Sequence, residues 1–167
     1  MGALNALRVG RFPITIDKNK TLEELLKNYD SVNPEINSYI FSPALLEDRN
    51  ELRYRVNVEL IQFPDLGIYS LDNVESVLSL KLSRRLATLR EIITLGVQYP
   101  NEQKKHMIVT LGVLWRLHST SNLKEIYLSV DPDGKRFVEM GLPVLLSTMC
   151  LATVKVRAYT VSLKDRS

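Results

Sequence analysis

Between Arg53 and Phe63 the sequence alternates with a period of two. Tyr54, Val56, Val58 and Leu60 occupy one set of positions, and Arg53, Arg55, Asn57 and Glu59 the other. Successive side chains of a strand point to opposite faces, so this run sets one face on a core and the other toward water. Pro64-Asp65-Leu66-Gly67 then turns the chain. A strand with one wet face needs antiparallel neighbours and an apolar layer on its dry side.

The neighbours are legible elsewhere. Arg8 to Ile16 reads as an N-terminal arm or edge strand, because Pro13 has no N–H to give to a sheet centre. Residues 1–20 are assigned to that arm and residues 21–167 to a single globular domain. Asp131-Pro132-Asp133-Gly134 lies between Lys124–Val130 and Lys135–Met140, the pattern of a β-hairpin. The β-branched tail from Val144 to Leu163 supplies one or two more strands, with Val154, Val156 and Ala158 alternating against Lys155, Arg157 and Tyr159.

Three helices are expected. Thr21 and Glu24 form a capping box for a short one ending near Lys27. Asp72 and Glu75 give a second capping signal. From there an apolar stripe of Val74, Val77, Leu78, Leu82, Leu86, Leu89 and Ile93 predicts a long helix to about Leu95, ended by Gly96 and Pro100. Asn101 caps a third, Glu102 to Leu117, apolar nearly all round in its second half. Residues 28–50, with Asn33-Pro34 and Ser42-Pro43, read as an ordered but irregular connection. The fold class is α+β: a mostly antiparallel sheet packed with two central helices.

The 167 residues suffice for one core. With 45% hydrophobic and 25% charged residues the chain is of ordinary globular composition, not disordered. No apolar run reaches the length of a membrane span, and the N-terminus lacks a secretory signal, so the expected compartment is reducing and intracellular. Gly2 would invite myristoylation, but Ala6 stands where Ser or Thr is wanted. The lone Cys150 sits in an apolar run, as a small buried hydrophobe would.

Chemistry-bearing constellations are not found. His106 and His118 are twelve residues apart, too far along a helix to share a metal ion. The Asp131–Gly134 turn mimics the start of a calcium loop, but its twelfth position is Leu142 instead of a bidentate Glu. Nucleophile elbow, phosphate-cradling glycine loop and dinucleotide fingerprint are all missing. No catalytic residue, cofactor, metal or small-molecule substrate is assigned. Trp115 is either core or an exposed anchor.

What remains is charge. The net charge is only +3, but the basic excess is C-terminal, in residues 101–167, and a tighter cluster spans Lys81 to Lys105. On the expected long helix Lys81, Arg84 and Arg85 fall on one face, while Arg90 lies off it, in place to pair with a carboxylate. Lys104 and Lys105 open the next helix, where the dipole gives cations no reason to be. These five residues are the candidate contact for an acidic partner, lipid or RNA, with Lys155 and Arg157 next in line. The basic helix carries no interleaved aromatics, which argues for phosphate or headgroup contact over base reading. Phe12, Ile14 and Ile16 of the arm are the candidate self-association residues.

Asn50-Glu51-Leu52-Arg53-Tyr54, the alternating strand, a short turn, Tyr69-Ser70 and a long helix resemble the start of the globular core of rhabdovirus matrix proteins of the vesiculovirus type. Leu111-Gly112-Val113-Leu114, ending in Ser121-Asn122-Leu123-Lys124, is similar to the end of that family's central helical region. The likeness covers about residues 50–125. The chain lacks the family's Lys-rich N-terminal arm and its Pro-Pro-x-Tyr motif. The resemblance implies a non-enzymatic viral structural protein. Such a protein self-associates, links nucleocapsid to an anionic membrane, and resides in the virion and host cytoplasm, peripheral to membrane. The alternative is a nucleic-acid-binding or viral accessory module using the same basic face.

Overall fold

The structure, a computed structural model, describes residues 5–36, 51–64, 69–70, 78, 83–110, 125–141, 144–145 and 148–155. The elements run in the order β1 (Leu7–Asp17), α1 (Leu22–Leu26), β2 (Ser31–Val32), β3 (Arg53–Gln62), β4 (Tyr69–Ser70), β5 (Arg84–Leu86), α2 (Leu89–Gln98), α3 (Glu102–Lys105), β6 (Ile108–Thr110), β7 (Glu125–Val130), β8 (Arg136–Gly141), β9 (Val144–Leu145) and β10 (Cys150–Lys155). The fold is α+β with a mostly antiparallel sheet, ordered β1-β3-β10-β6-β7-β8-β2. Its parallel pairings are β10 with β6 and β2 with β8. β5 runs antiparallel beside β10 past the end of β6, and β4 pairs β9 in a separate two-stranded sheet.

The alternating strand is β3, second from the edge, flanked by β1 and β10. Its even residues Tyr54, Val56, Val58 and Leu60 are buried with Ile14 and Ile16 of β1 and with Leu89, Ile92, Ile93 and Leu95 of α2. This is the main core, on one face of the sheet. Among the described residues the other face is apolar at one end, where Ile61, Phe63, Val109 and Leu151 meet the helical Leu78 in a second cluster. Five consecutive buried residues, Cys150–Val154, mark β10 as a central strand covered on both faces.

α1 begins at the expected capping box, with Thr21 accepting from the Glu24 N–H and Glu24 accepting from the Thr21 N–H. The β7–β8 hairpin closes at Asp131–Gly134, where Gly134 takes φ +83° and the Asp131 carboxylate accepts from the N–H groups of Asp133 and Lys135.

Two helix expectations are corrected. The helix from Asp72 to about Leu95 does not continue through residue 86: Ser83 has φ 49°, and Arg84–Leu86 are the strand β5. α2 starts anew from a second capping box, Thr88 with Glu91. Leu86 is therefore a strand residue on the second cluster, and Leu89 begins a different element. Nor does Gly96 end α2; it is buried within it, and the helix runs on to Gln98. The helix expected from Glu102 to Leu117 stops at Lys105, because the β-branched Ile108-Val109-Thr110 form β6 between β7 and β10. Val77, Val113, Leu114, Trp115, His118, Leu142 and Arg157 lie outside the described residues.

Candidate anion-binding sheet face

The sequence predicts Lys81, Arg84 and Arg85 on one helix face and Lys104 and Lys105 at the start of the next helix; the described members of this set do not form one basic surface. Lys81 lies outside the described residues. Arg84 and Arg85 are consecutive on β5, so they point to opposite sides of the sheet. Arg84 is 10% exposed and its Nη2 sits 2.6 Å from the carboxylate of Glu59, itself 2% exposed. Arg85 reaches the helix side and makes a bidentate pair with Glu91, at 2.8 and 2.7 Å. Glu91 also accepts from the Thr88 N–H, so one buried carboxylate both caps α2 and anchors β5 to it. Lys105 pairs with Glu102 at 2.9 Å. In the four-residue α3, Lys104 and Lys105 lie in the last turn, where the carbonyl end favours cations. The dipole argument for a binding role therefore lapses. Arg90 donates to the Lys20 carbonyl and makes no carboxylate pair among the described residues.

The self-association residues are likewise corrected. Ile14 and Ile16 are wholly buried in the chain's own core, and Phe12 is half-buried edge-to-face against Tyr99, with centroids 5.1 Å apart. A strand that alternates apolar and polar residues next to β3 finds its core within the same chain.

A different cationic surface emerges from the strand register. On the face away from α2, cross-strand neighbours line up in rows. Arg11 (β1), Glu59 (β3), Thr153 (β10) and Leu86 (β5) make one row. Pro13, Asn57, Lys155 and Arg84 make the next, followed by Thr15 beside Arg55, then Asp17 beside Arg53. The register shift between Arg8 and Gly10 inserts one residue into β1. That bulge turns Arg8 onto the same face, where its Nη1 is 3.8 Å from Glu59. Gly10 makes room for the turn, since a Cβ there would meet the Phe12 ring at 2.6 Å.

Six cations, Arg8, Arg11, Arg53, Arg55, Arg84 and Lys155, thus share a face with two carboxylates, Asp17 and Glu59, among the described residues. Arg84 forms a close ion pair with Glu59, and Thr153 fixes this corner by donating to the Glu59 carbonyl at 3.1 Å. Arg53 approaches Asp17 at only 4.0 Å and is 72% exposed, a weak, solvated pair. Arg11, Arg55 and Lys155 are exposed. Four strands about 4.8 Å apart spread these charges over roughly 15 Å. Among the described residues no aromatic side chain is interleaved in the rows, so these offer guanidinium and ammonium donors without a stacking platform for bases.

Much of this surface was visible in the sequence as the polar half of the Arg53–Phe63 alternation, and Lys155 stood among the secondary candidates. The contribution of Arg8 and Arg11 depends on a register and a bulge that no local pattern announces. Among the described residues no group of three or more His, Cys, Asp or Glu is placed to hold a metal ion, and no helix is long and apolar enough to cross a membrane. Cys150 is wholly buried; burial, reinforced by the Glu102 carboxylate, pushes its thiol up to about 11. Neither family models, nor curated proteins, nor solved structures give a match to this chain.

Proposed function

We propose that this chain is a non-enzymatic, matrix-like structural protein that self-associates and links a nucleocapsid to an anionic membrane surface. The observation that carries the reading is the cationic sheet face built by Arg8, Arg11, Arg53, Arg55 and Lys155. Dispersed cations on a sheet suit a planar array of phosphates, and each is worth about 1 kcal/mol near an anionic bilayer, so several act together. The same composition lacks the aromatics that sheet-surface binders of single-stranded nucleic acid use, which favours headgroups over bases. The sequence resemblance of residues 50–125 to the matrix family motivates the structural role, although β5 and β6 stand where the sequence predicts long helices.

The test is cosedimentation with phosphatidylserine-containing and pure phosphatidylcholine vesicles. The parent should bind the former only, and less as salt rises. Reversing Arg11, Arg55 and Lys155 to Glu should abolish binding with the circular dichroism spectrum unchanged, because all three are exposed. Undiminished binding by that variant rejects this face. Tight RNA binding without vesicle binding, falling steeply with salt through counterion release, would favour the nucleic-acid module instead.

A further inference from the structure

We infer that self-association runs through the outer edge of β1, pairing two copies as antiparallel strands, and that Gln98 sets the threshold for it. The inference rests on the self-association part of the proposed function. β1 is eleven residues long and, among the described residues, lies at the end of the sheet, paired on one side with β3. In an antiparallel ladder alternate residues direct both backbone groups to the same side, so the outer edge of β1 presents Arg11, Pro13, Thr15 and Asp17.

The edge is held closed by the end of α2. The Gln98 side-chain amide accepts from the Thr15 N–H at 3.1 Å and donates to the Thr15 carbonyl at 2.8 Å. It thereby reproduces the pair of bonds that a neighbouring strand would make. The Tyr99 hydroxyl donates to the Pro13 carbonyl at 2.8 Å. Both are single side chains at a helix end, and Gln98 is exposed. They satisfy the edge without covering it, as natural sheets do to restrain strand addition.

The groups beneath them are self-complementary. In a two-fold ladder centred on Thr15, each Thr15 exchanges both bonds with its counterpart, and Pro13 of one copy faces Asp17 of the other. Pro13 offers an acceptor and no donor. Asp17 offers the reverse, because its carbonyl already accepts from the Lys20 N–H at 3.2 Å and its N–H is left outward. The exposed-face side chains match as well: Thr15 meets Thr15 and Asp17 lies diagonal to Arg11, with no like charges directly opposed. These pairings single out a second copy over an unrelated strand. The two-fold axis stands perpendicular to the sheet, so the cationic faces of both copies become continuous on one side.

The experiment is sedimentation velocity on the parent, Gln98→Ala and Gln98→Ala/Thr15→Pro, over micromolar to submillimolar concentrations. Removing the amide frees the Thr15 groups, so Gln98→Ala should dimerise at least about tenfold more tightly than the parent. Pro at position 15 removes the central donor at a site whose N–H points away from β3, and the double variant should fall back to the parent's affinity or below. Gln98→Ala matching the parent overturns the inference, as does a double variant that dimerises as well as the single one. If the parent assembles and Gln98→Ala does so no better, self-association stands and this edge is wrong. If both stay monomeric at every concentration and salt, the self-association reading fails with it.

Discussion

At the scale of single residues, the informative positions are those where two elements press on one atom. Gly96 is one. A Cβ there would collide with the Tyr29 hydroxyl, which donates to the Ile93 carbonyl at 2.7 Å, and would come within 2.9 Å of Leu128. The carbonyl of Gly96 in turn accepts from Arg136, whose guanidinium lies 4.6 Å over the Tyr29 ring and also reaches the Asn28 carbonyl and Gln103. Ala in place of a mid-helix Gly ordinarily gains up to about 1 kcal/mol. At this site the Tyr29 contact should reverse the sign, and chemical denaturation of Gly96→Ala should give a lower midpoint than the parent. Glu59 is the other. Glu59→Gln strands the nearly buried Arg84 without its counter-charge, a loss on the order of 3–5 kcal/mol for a buried pair. Arg53→Gln, at an exposed pair, should change stability by under about 1 kcal/mol. Urea titrations of the two variants should separate clearly; equal midpoints would mean that Arg84 finds solvent.

At the scale of elements, β1 is the part whose role changed most between sequence and structure. Taken as an arm, residues 1–16 could be removed without harm. Taken as β1, they carry Ile14 and Ile16 into the core, pair with the length of β3 and bond to α2 through Gln98 and Tyr99. A chain lacking residues 1–16 should show no cooperative thermal transition; a sharp transition would restore the arm. The strand was legible because Phe12, Ile14 and Ile16 alternate, but nothing local reveals whether such a strand docks on its own domain or another. Helix boundaries failed for a related reason. Leu82, Leu86, Leu89 and Ile93 keep helical spacing across a break, since Leu86 faces one side of the sheet as strand and Leu89 the other as helix. The signal that would have placed the break is Thr88-Leu89-Arg90-Glu91, a capping pattern as good as the one read at Thr21. The cationic face was half legible for the same physical reason: alternation is local, whereas register and bulge are set by partners far along the chain. Leu89 is buried at the first turn of α2, so Leu89→Ala should still cost about 2–5 kcal/mol as a cavity, measurable by thermal melting.

At the scale of the whole molecule, the sheet divides its labour by face and by end. α1 and α2 cover one face, and the second cluster covers part of the other. The cationic rows occupy the end of that second face nearest the β1 edge. Binding and assembly would therefore share one end of the molecule, while the β7–β8 hairpin and the Arg136 clamp brace the opposite end. The buried titratable groups give this arrangement a pH signature. Cys150 is wholly buried where β10 meets β6, and burial first, then Glu102, raises its thiol from 9.0 to about 11. Tyr29 is also raised from its ordinary value of 10.0, by burial, with Arg136 opposing. A group whose folded pKa exceeds its unfolded one holds its proton more firmly in the fold. Its stabilising effect is complete below the unfolded pKa and is lost as pH rises through the folded one. Stability should accordingly be flat through neutral pH with respect to these groups and fall from about pH 9 upward. Denaturant midpoints measured between pH 8 and 11 should decline for the parent and decline less for Cys150→Ala, the residual slope belonging to Tyr29 and other alkaline groups. Identical slopes would mean that the thiol ionises without cost and that the β6–β10 junction admits water.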